Sequence, residues 1–118
     1  MIAHVVLFRP HPHLAPAARE SLAAAFATAL REIPSIRRAR VGRRVRVGRA
    51  YEAAMRADYP YAAVIEFDDA GGLAAYLDHP AHEQLAARFF SAFEEALMYD
   101  FHLEDGAAGL AALLPDAH

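Results

Sequence analysis

A chain of 118 residues with a formal charge of −3 has the size of one domain with a single two-layer core, and its overall charge does not recruit nucleic acid or an anionic membrane surface. The absence of cysteine excludes disulfides, thiolate metal sites and a cysteine nucleophile. No apolar run approaches bilayer length, and the N-terminus runs straight into a strand pattern without a basic leader, so the sequence predicts a cytoplasmic protein with no membrane contact.

Ile2 to Arg9 is apolar and partly β-branched and ends at Pro10, which predicts a first strand. Ile2, His4, Val6 and Phe8 share one face and Ala3, Val5 and Leu7 the other. Both faces are apolar enough to be buried, so the strand is central and His4 is an interior imidazole. Pro16 to Ile33 follows with Leu22, Ala25, Phe26, Ala29, Leu30 and Ile33 on one helical stripe, stopped by Pro34.

Arg37 to Gly48 alternates as a second strand, with Ala39, Val41, Val45 and Val47 on one face and Arg38, Arg40, Arg44 and Arg46 on the other. Gly42 inside it marks a bulge or a close approach of backbones. Arg49 to Pro60 reads as a loop with a helical fragment around Tyr51 to Arg56. Tyr61 to Asp68 is a third strand, and Asp68 or Asp69 caps a helix over Ala70 to Asp78. Gly71 and Gly72 weaken that helix.

Pro80 breaks it, because proline lacks an N–H and pushes the preceding residue out of the helical region. His79 therefore ends one helix and caps the next, which Pro80 opens and which runs to about Ala96. Leu73, Tyr76 and Leu77 place the Tyr76 ring on the core side of the first segment. His82 heads a stripe of Leu85, Ala86, Phe89, Phe93 and Ala96 in the second. A helix start disfavours imidazolium, so His82 is expected to be neutral near pH 7 and able to exchange a proton. Leu97 to Leu103 makes a fourth strand, residues 1–105 form the domain, and 106–118 form a C-terminal tail that docks as a helical turn or frays.

Other charged and imidazole groups have plainer explanations. His11 and His13 are read as a loop of solvated histidines. Seven arginines lie between Arg37 and Arg49, with no aromatic residue interleaved. They are read as a solvated or interface strand paired with Glu66, Asp68 or Glu104, without nucleic-acid affinity.

The order β-α-β-β-α-β is that of a ferredoxin-like α+β fold, an antiparallel sheet with helices on one face. The face carrying Ala3, Val5 and Leu7 has no helix left to cover it, which predicts a homodimer packed through the sheet.

Several short stretches, in this order, resemble the stress-responsive A/B barrel domains. They are Ile2-Ala3-His4-Val5-Val6-Leu7-Phe8, Ile33-Pro34, Val41-Gly42, Glu66-Phe67, Tyr76-Leu77-Asp78-His79-Pro80-Ala81-His82 and Tyr99-Asp100-Phe101. The resemblance covers about residues 1–104 and implies a dimeric α+β barrel. The family includes a plant polyketide cyclase, olivetolic acid cyclase, in which a histidine acts as general acid/base and a tyrosine assists it. Carried across residue by residue, the resemblance implies His82 and Tyr76 in those roles and His4 as a further pocket histidine. It implies a pocket lined by Val6, Phe8, Leu22, Phe26, Ala63, Ile65, Leu85, Phe89 and Phe93, with Ala23, Ala27, Ala39, Ala86 and Met98 around them. With so many alanines, a cavity wider than the cyclase's is expected. Some members also hold a divalent ion on backbone carbonyls that would correspond to those of Leu30, Ile33 and Ile36, but carbonyl ligands leave no sequence trace, and no cofactor and no metal are assigned.

Two functions from different classes compete. One is a cofactor-independent cyclase, lyase or isomerase acting on a small, largely apolar, polyketide-like carbonyl compound, with His82 moving a proton α to the carbonyl, Tyr76 bonding the enolate oxygen and His4 orienting the substrate. The other is a non-catalytic dimer that binds a small apolar ligand or protects against stress. A cofactor-free monooxygenase is a third reading, on fold analogy alone.

Overall fold

The computed structural model describes residues 1–115, and its order of elements is the one the sequence predicts, including a helical fragment in the long loop and helical turns in the tail. Four strands, β1 (Ile2–Pro10), β2 (Arg38–Arg43), β3 (Tyr61–Phe67) and β4 (Phe93–His102), form one sheet in the order β2-β3-β1-β4. Every neighbouring pair is antiparallel. The strands β1 and β3 are central, as their apolar alternation requires. The helices α1 (Pro16–Glu32), α3 (Ala70–Asp78) and α4 (Pro80–Ala92) cover one face, with a small helix α2 (Ala50–Ala54) in the long loop and α5 (Gly106–Gly109) with a 3-10 turn after β4. This is a ferredoxin-like α+β fold.

The core fills the space between α1, α3, α4 and the covered face. Its centre is Ala29, Ile33, Ile65, Phe67, Tyr76 and Leu85, continued by Val6, Phe8, Ala63 and Phe89. Strand register sorts the covered face into rows: Ala39–Ile65–His4–Asp100, then Val41–Ala63–Val6–Met98, then Arg43–Tyr61–Phe8–Ala96. These rows decide which polar groups meet.

Three predicted boundaries are corrected. The second strand stops at Arg43 instead of continuing to Gly48. The N–H of Arg44 still reaches the Pro60 carbonyl, but Pro60 has no N–H to return, and the ladder ends there. Val45, expected on an apolar strand face, is 76% exposed. Gly42 marks no bulge: it pairs in register with Ala62, and the one register shift of β1 falls between Arg9 and Pro10.

The Pro80 helix ends at Ala92, four residues early, and β4 begins at Phe93. Phe93 and Ala96 fit the helical stripe by spacing, yet they face Pro10 and Phe8 across the sheet. Pairing along the whole of β1 overrides the local periodicity. The tail forms α5 and the 3-10 turn, with Leu110, Leu113 and Leu114 exposed.

The second face of the sheet carries no long helix. Val5, Leu7, Val64 and Leu97 are half-buried there, while Tyr99 and Phe101 are 56% and 48% exposed. Ala3, predicted to need a partner, is already 0% exposed, because it sits low between the paired Glu66 and Phe101. The loop around α2 reaches one end of this face, where Tyr51 and Met55 line a hollow with Leu7, Ala62 and Leu97.

Candidate functional site

The junction of α3 and α4 is built by caps at both ends. Asp69 Oδ1 accepts the Gly72 N–H at 2.9 Å and starts α3. Gly72 is needed beside the sheet, since a Cβ there would lie 3.3 Å from the Phe67 Cβ. At the far end His79 adopts extended geometry, and its Nδ1 accepts the Ala81 N–H at 3.0 Å, so this imidazole is used as the cap of α4. Pro80 fills the first helical position.

These caps bring Tyr76 and His82 together. Their ring centroids are 4.7 Å apart and edge-to-face. Tyr76 is 2% exposed, and its ring also packs on Phe67 at 5.3 Å and His4 at 5.9 Å. Among the described residues no group accepts a hydrogen bond from the Tyr76 hydroxyl. Burial pushes its pKa up to about 12, which keeps it a proton donor at any physiological pH.

His82 is half-buried and moves the other way. Burial first, and the neighbouring His4 second, hold it below the ordinary histidine value of 6.5, while the Leu77 carbonyl and Glu83 oppose them. His4 Nδ1 lies 2.7 Å from Asp100 Oδ1. A carboxylate only accepts, so Nδ1 carries the proton and Nε2 is the atom left for another partner.

Asp100 is the site residue that sequence reasoning missed. The available signal was an acidic residue breaking the apolar alternation of the fourth strand on the Met98 side. Only the register of β1 against β4 shows that it stands opposite His4.

His4, Tyr76 and His82 line one cavity of about 100 Å³ with Val6, Phe26, Ala63, Ile65, Leu85 and Phe89. Leu77, Ala86, Phe90 and Met98 complete it. The rest of the expected lining lies elsewhere. Phe8, Leu22, Ala23, Ala27 and Phe93 border a separate outer groove of about 450 Å³ under α1, and Ala39 borders neither. The edge-on rings of Phe8, Phe89 and Phe93, with centroids 4.5–5.4 Å apart, stand between the two spaces, and Phe26 borders both. The expected single wide cavity is thus two: the alanines of α1 widen the groove, and aromatic rings close the inner chamber.

Four of the seven arginines in the arginine-rich stretch are ion-paired. Arg37 meets Asp68 at 2.7 Å and Arg40 meets Glu66 at 3.5 Å, while Arg44 and Arg46 share Asp58 at 2.7 and 3.0 Å. Glu104, the third partner expected, lies beside His102 instead. His11 and His13 are exposed in a turn, and among the described residues no three His, Asp or Glu side chains gather as a metal-binding group. No helix among those residues is long and apolar enough to cross a membrane.

Residues 2–103 match the family model of the stress responsive A/B barrel domain. The chain belongs to that family. Solved structures agree on the A/B barrel's fold. A dimeric ferredoxin-like protein of unknown function from Thermobifida fusca is 24% identical, covers 86% of this chain and 90% of its own, and superposes with a TM-score of 0.68. The hydroxynitrile lyase of Passiflora edulis is 17% identical over 89% of this chain and 94% of its own, with a TM-score of 0.73. SnoaB, a cofactor-independent oxygenase from Streptomyces nogalater, is 20% identical over 90% and 95%, with a TM-score of 0.63. Among curated proteins no sequence matches the chain.

Proposed function

We propose that this A/B barrel is a homodimer whose inner chamber transfers a proton next to the carbonyl of a small, largely apolar compound, without a cofactor. The observation that carries the proposal is the Tyr76 hydroxyl, which has no acceptor among the described residues and stands beside a half-buried imidazole in a chamber that is apolar apart from His4. Tyr76 lines the chamber, so a substrate oxygen placed there can accept its hydroxyl proton.

The two groups are pushed apart in pKa, which assigns their roles. His82, held below 6.5, is neutral at pH 7 and accepts the α-proton. Tyr76, raised to about 12, remains protonated and donates a hydrogen bond to the developing enolate oxygen. His4, fixed by Asp100, orients the substrate through Nε2. The proton then returns from His82 to carbon or to a leaving group. Two of the structural relatives, a hydroxynitrile lyase and a cofactor-independent oxygenase, show that this fold carries enzymes.

The volume limits the substrate. A closed cavity of roughly 150 Å³ accepts benzene, so a chamber of about 100 Å³ holds a compact carbonyl head and not an aromatic polyketide ring. The same volume is the observation that favours the second reading, a non-catalytic dimer holding a small ligand.

Dimerisation is proposed through the uncovered face, where Tyr99 and Phe101 stand exposed beside half-buried Val5 and Leu97. Relatives of the same fold are described as dimeric. The arginine-rich stretch, in which Arg37, Arg40, Arg44 and Arg46 are paired with carboxylates, is proposed to take no part in nucleic-acid binding. Incubating the protein in heavy water with small ketones and aldehydes, and following loss of the α-proton signals by NMR, tests the proton-transfer proposal. Exchange above the buffer rate supports it, and a panel that exchanges at the buffer rate favours the binding dimer.

A further inference from the structure

The outer groove has a polar corner that proton transfer in the inner chamber leaves unused. The register of β2 against β3 puts Arg43 opposite Tyr61 on the covered face, and its guanidinium lies over the Tyr61 ring, 5.8 Å from the centroid. From α1 above, Arg19 Nη1 donates to the Tyr61 hydroxyl at 3.4 Å. Two guanidinium groups therefore converge on one phenol. Among the described residues neither has a carboxylate partner, whereas Arg9, Arg37, Arg40, Arg44 and Arg46 each have one. Among the described residues no acidic side chain lines the groove, and α1 starts with neither a side-chain cap nor an acid in its first turn. Below this corner the groove is apolar, walled by Phe8, Leu22, Phe26 and Phe93.

We propose that the outer groove binds a monoanionic amphiphile, a carboxylate on an apolar chain, with its head at Arg19, Arg43 and Tyr61 and its chain along Leu22 and Phe26. The volume of about 450 Å³ falls in the range of small-molecule sites. Guanidinium forks match a carboxylate in geometry as well as charge. The Tyr61 hydroxyl accepts from Arg19 and keeps its own proton to donate to the ligand. The apolar walls require a chain: acetate would satisfy the arginines and leave the groove empty. This site does not depend on proton transfer at His82.

Isothermal titration of the full chain with octanoate, octanol and acetate tests the inference. Octanoate is expected to bind more tightly than octanol and far more tightly than acetate. Arg19→Met and Arg43→Met, which keep the apolar stem, should each weaken octanoate about ten- to hundredfold and leave octanol unchanged. His82→Ala should leave octanoate affinity as it is, so failure of the catalytic proposal and of this one are told apart. Circular dichroism checks that both arginine variants are folded. Octanol binding as tightly as octanoate overturns the inference, as does an octanoate affinity that both variants retain within twofold or that is undetectable at millimolar concentration.

Discussion

The two faces of β1 differ by one residue of register and by everything that surrounds them. On one face His4, Val6 and Phe8 are buried under helices and meet Tyr76, Phe89 and Phe93. On the other Val5 and Leu7 lie in a row with Tyr99 and Leu97, half-buried or exposed. Composition does not separate these faces, since both are apolar. The covered face is completed by this chain's own helices and can therefore hold polar groups in fixed positions. The uncovered face has only side chains of its own and is completed by whatever packs on it.

Substitutions on the two faces should fail in different ways. Val5→Asp places a carboxylate on the uncovered face, and roughly 4–5 kcal/mol of association energy should be lost while the monomer remains folded. Light scattering coupled to size exclusion should show a dimer for the wild type and a monomer for the variant. A wild-type monomer at micromolar concentration would refute the dimer. On the covered face Phe67→Ala should do the reverse, since Phe67 is fully buried: about 3–5 kcal/mol of folding stability is lost in chemical denaturation.

Asp69→Ala removes the cap of α3, at the end remote from Tyr76, and should cost about 1 kcal/mol with little change in dimerisation. The smallest expected effect is on pH dependence. His82 has a folded pKa below its unfolded value near 6.5, so the unfolded chain takes up its proton first. The contribution to stability is complete above pH 6.5 and is lost as the pH falls through the folded pKa. Thermal unfolding between pH 7.5 and about 5 should therefore lose less stability in His82→Gln than in the wild type.

How much of this was legible in the sequence follows from where the information resides. The bounds of α3, Ala70 to Asp78, are read correctly because Asp69 and Pro80 are local stop signals that need no partner. The close approach of Tyr76 and His82 is readable for the same reason: both stand on stripes next to a proline break. The start of β4 at Phe93 is not readable, because the same residues satisfy a helical period and only pairing with β1 decides. The end of β2 likewise depends on Pro60, a residue of another strand's approach. Asp100 beside His4, and Arg43 beside Tyr61, are products of register between strands distant in sequence, and no spacing rule within either strand reports them. The division of the pocket by Phe8, Phe89 and Phe93 is a matter of ring packing that a list of lining residues cannot convey.

The central claim is that the covered face holds a proton-transfer pair in His82 and Tyr76, and the most direct measurement is α-proton exchange in heavy water by the wild type and by His82→Ala. The account predicts a loss of roughly two to four orders of magnitude in the variant, with fold and dimer intact, and a smaller loss in Tyr76→Phe. Exchange that proceeds in His82→Ala at the wild-type rate would contradict it.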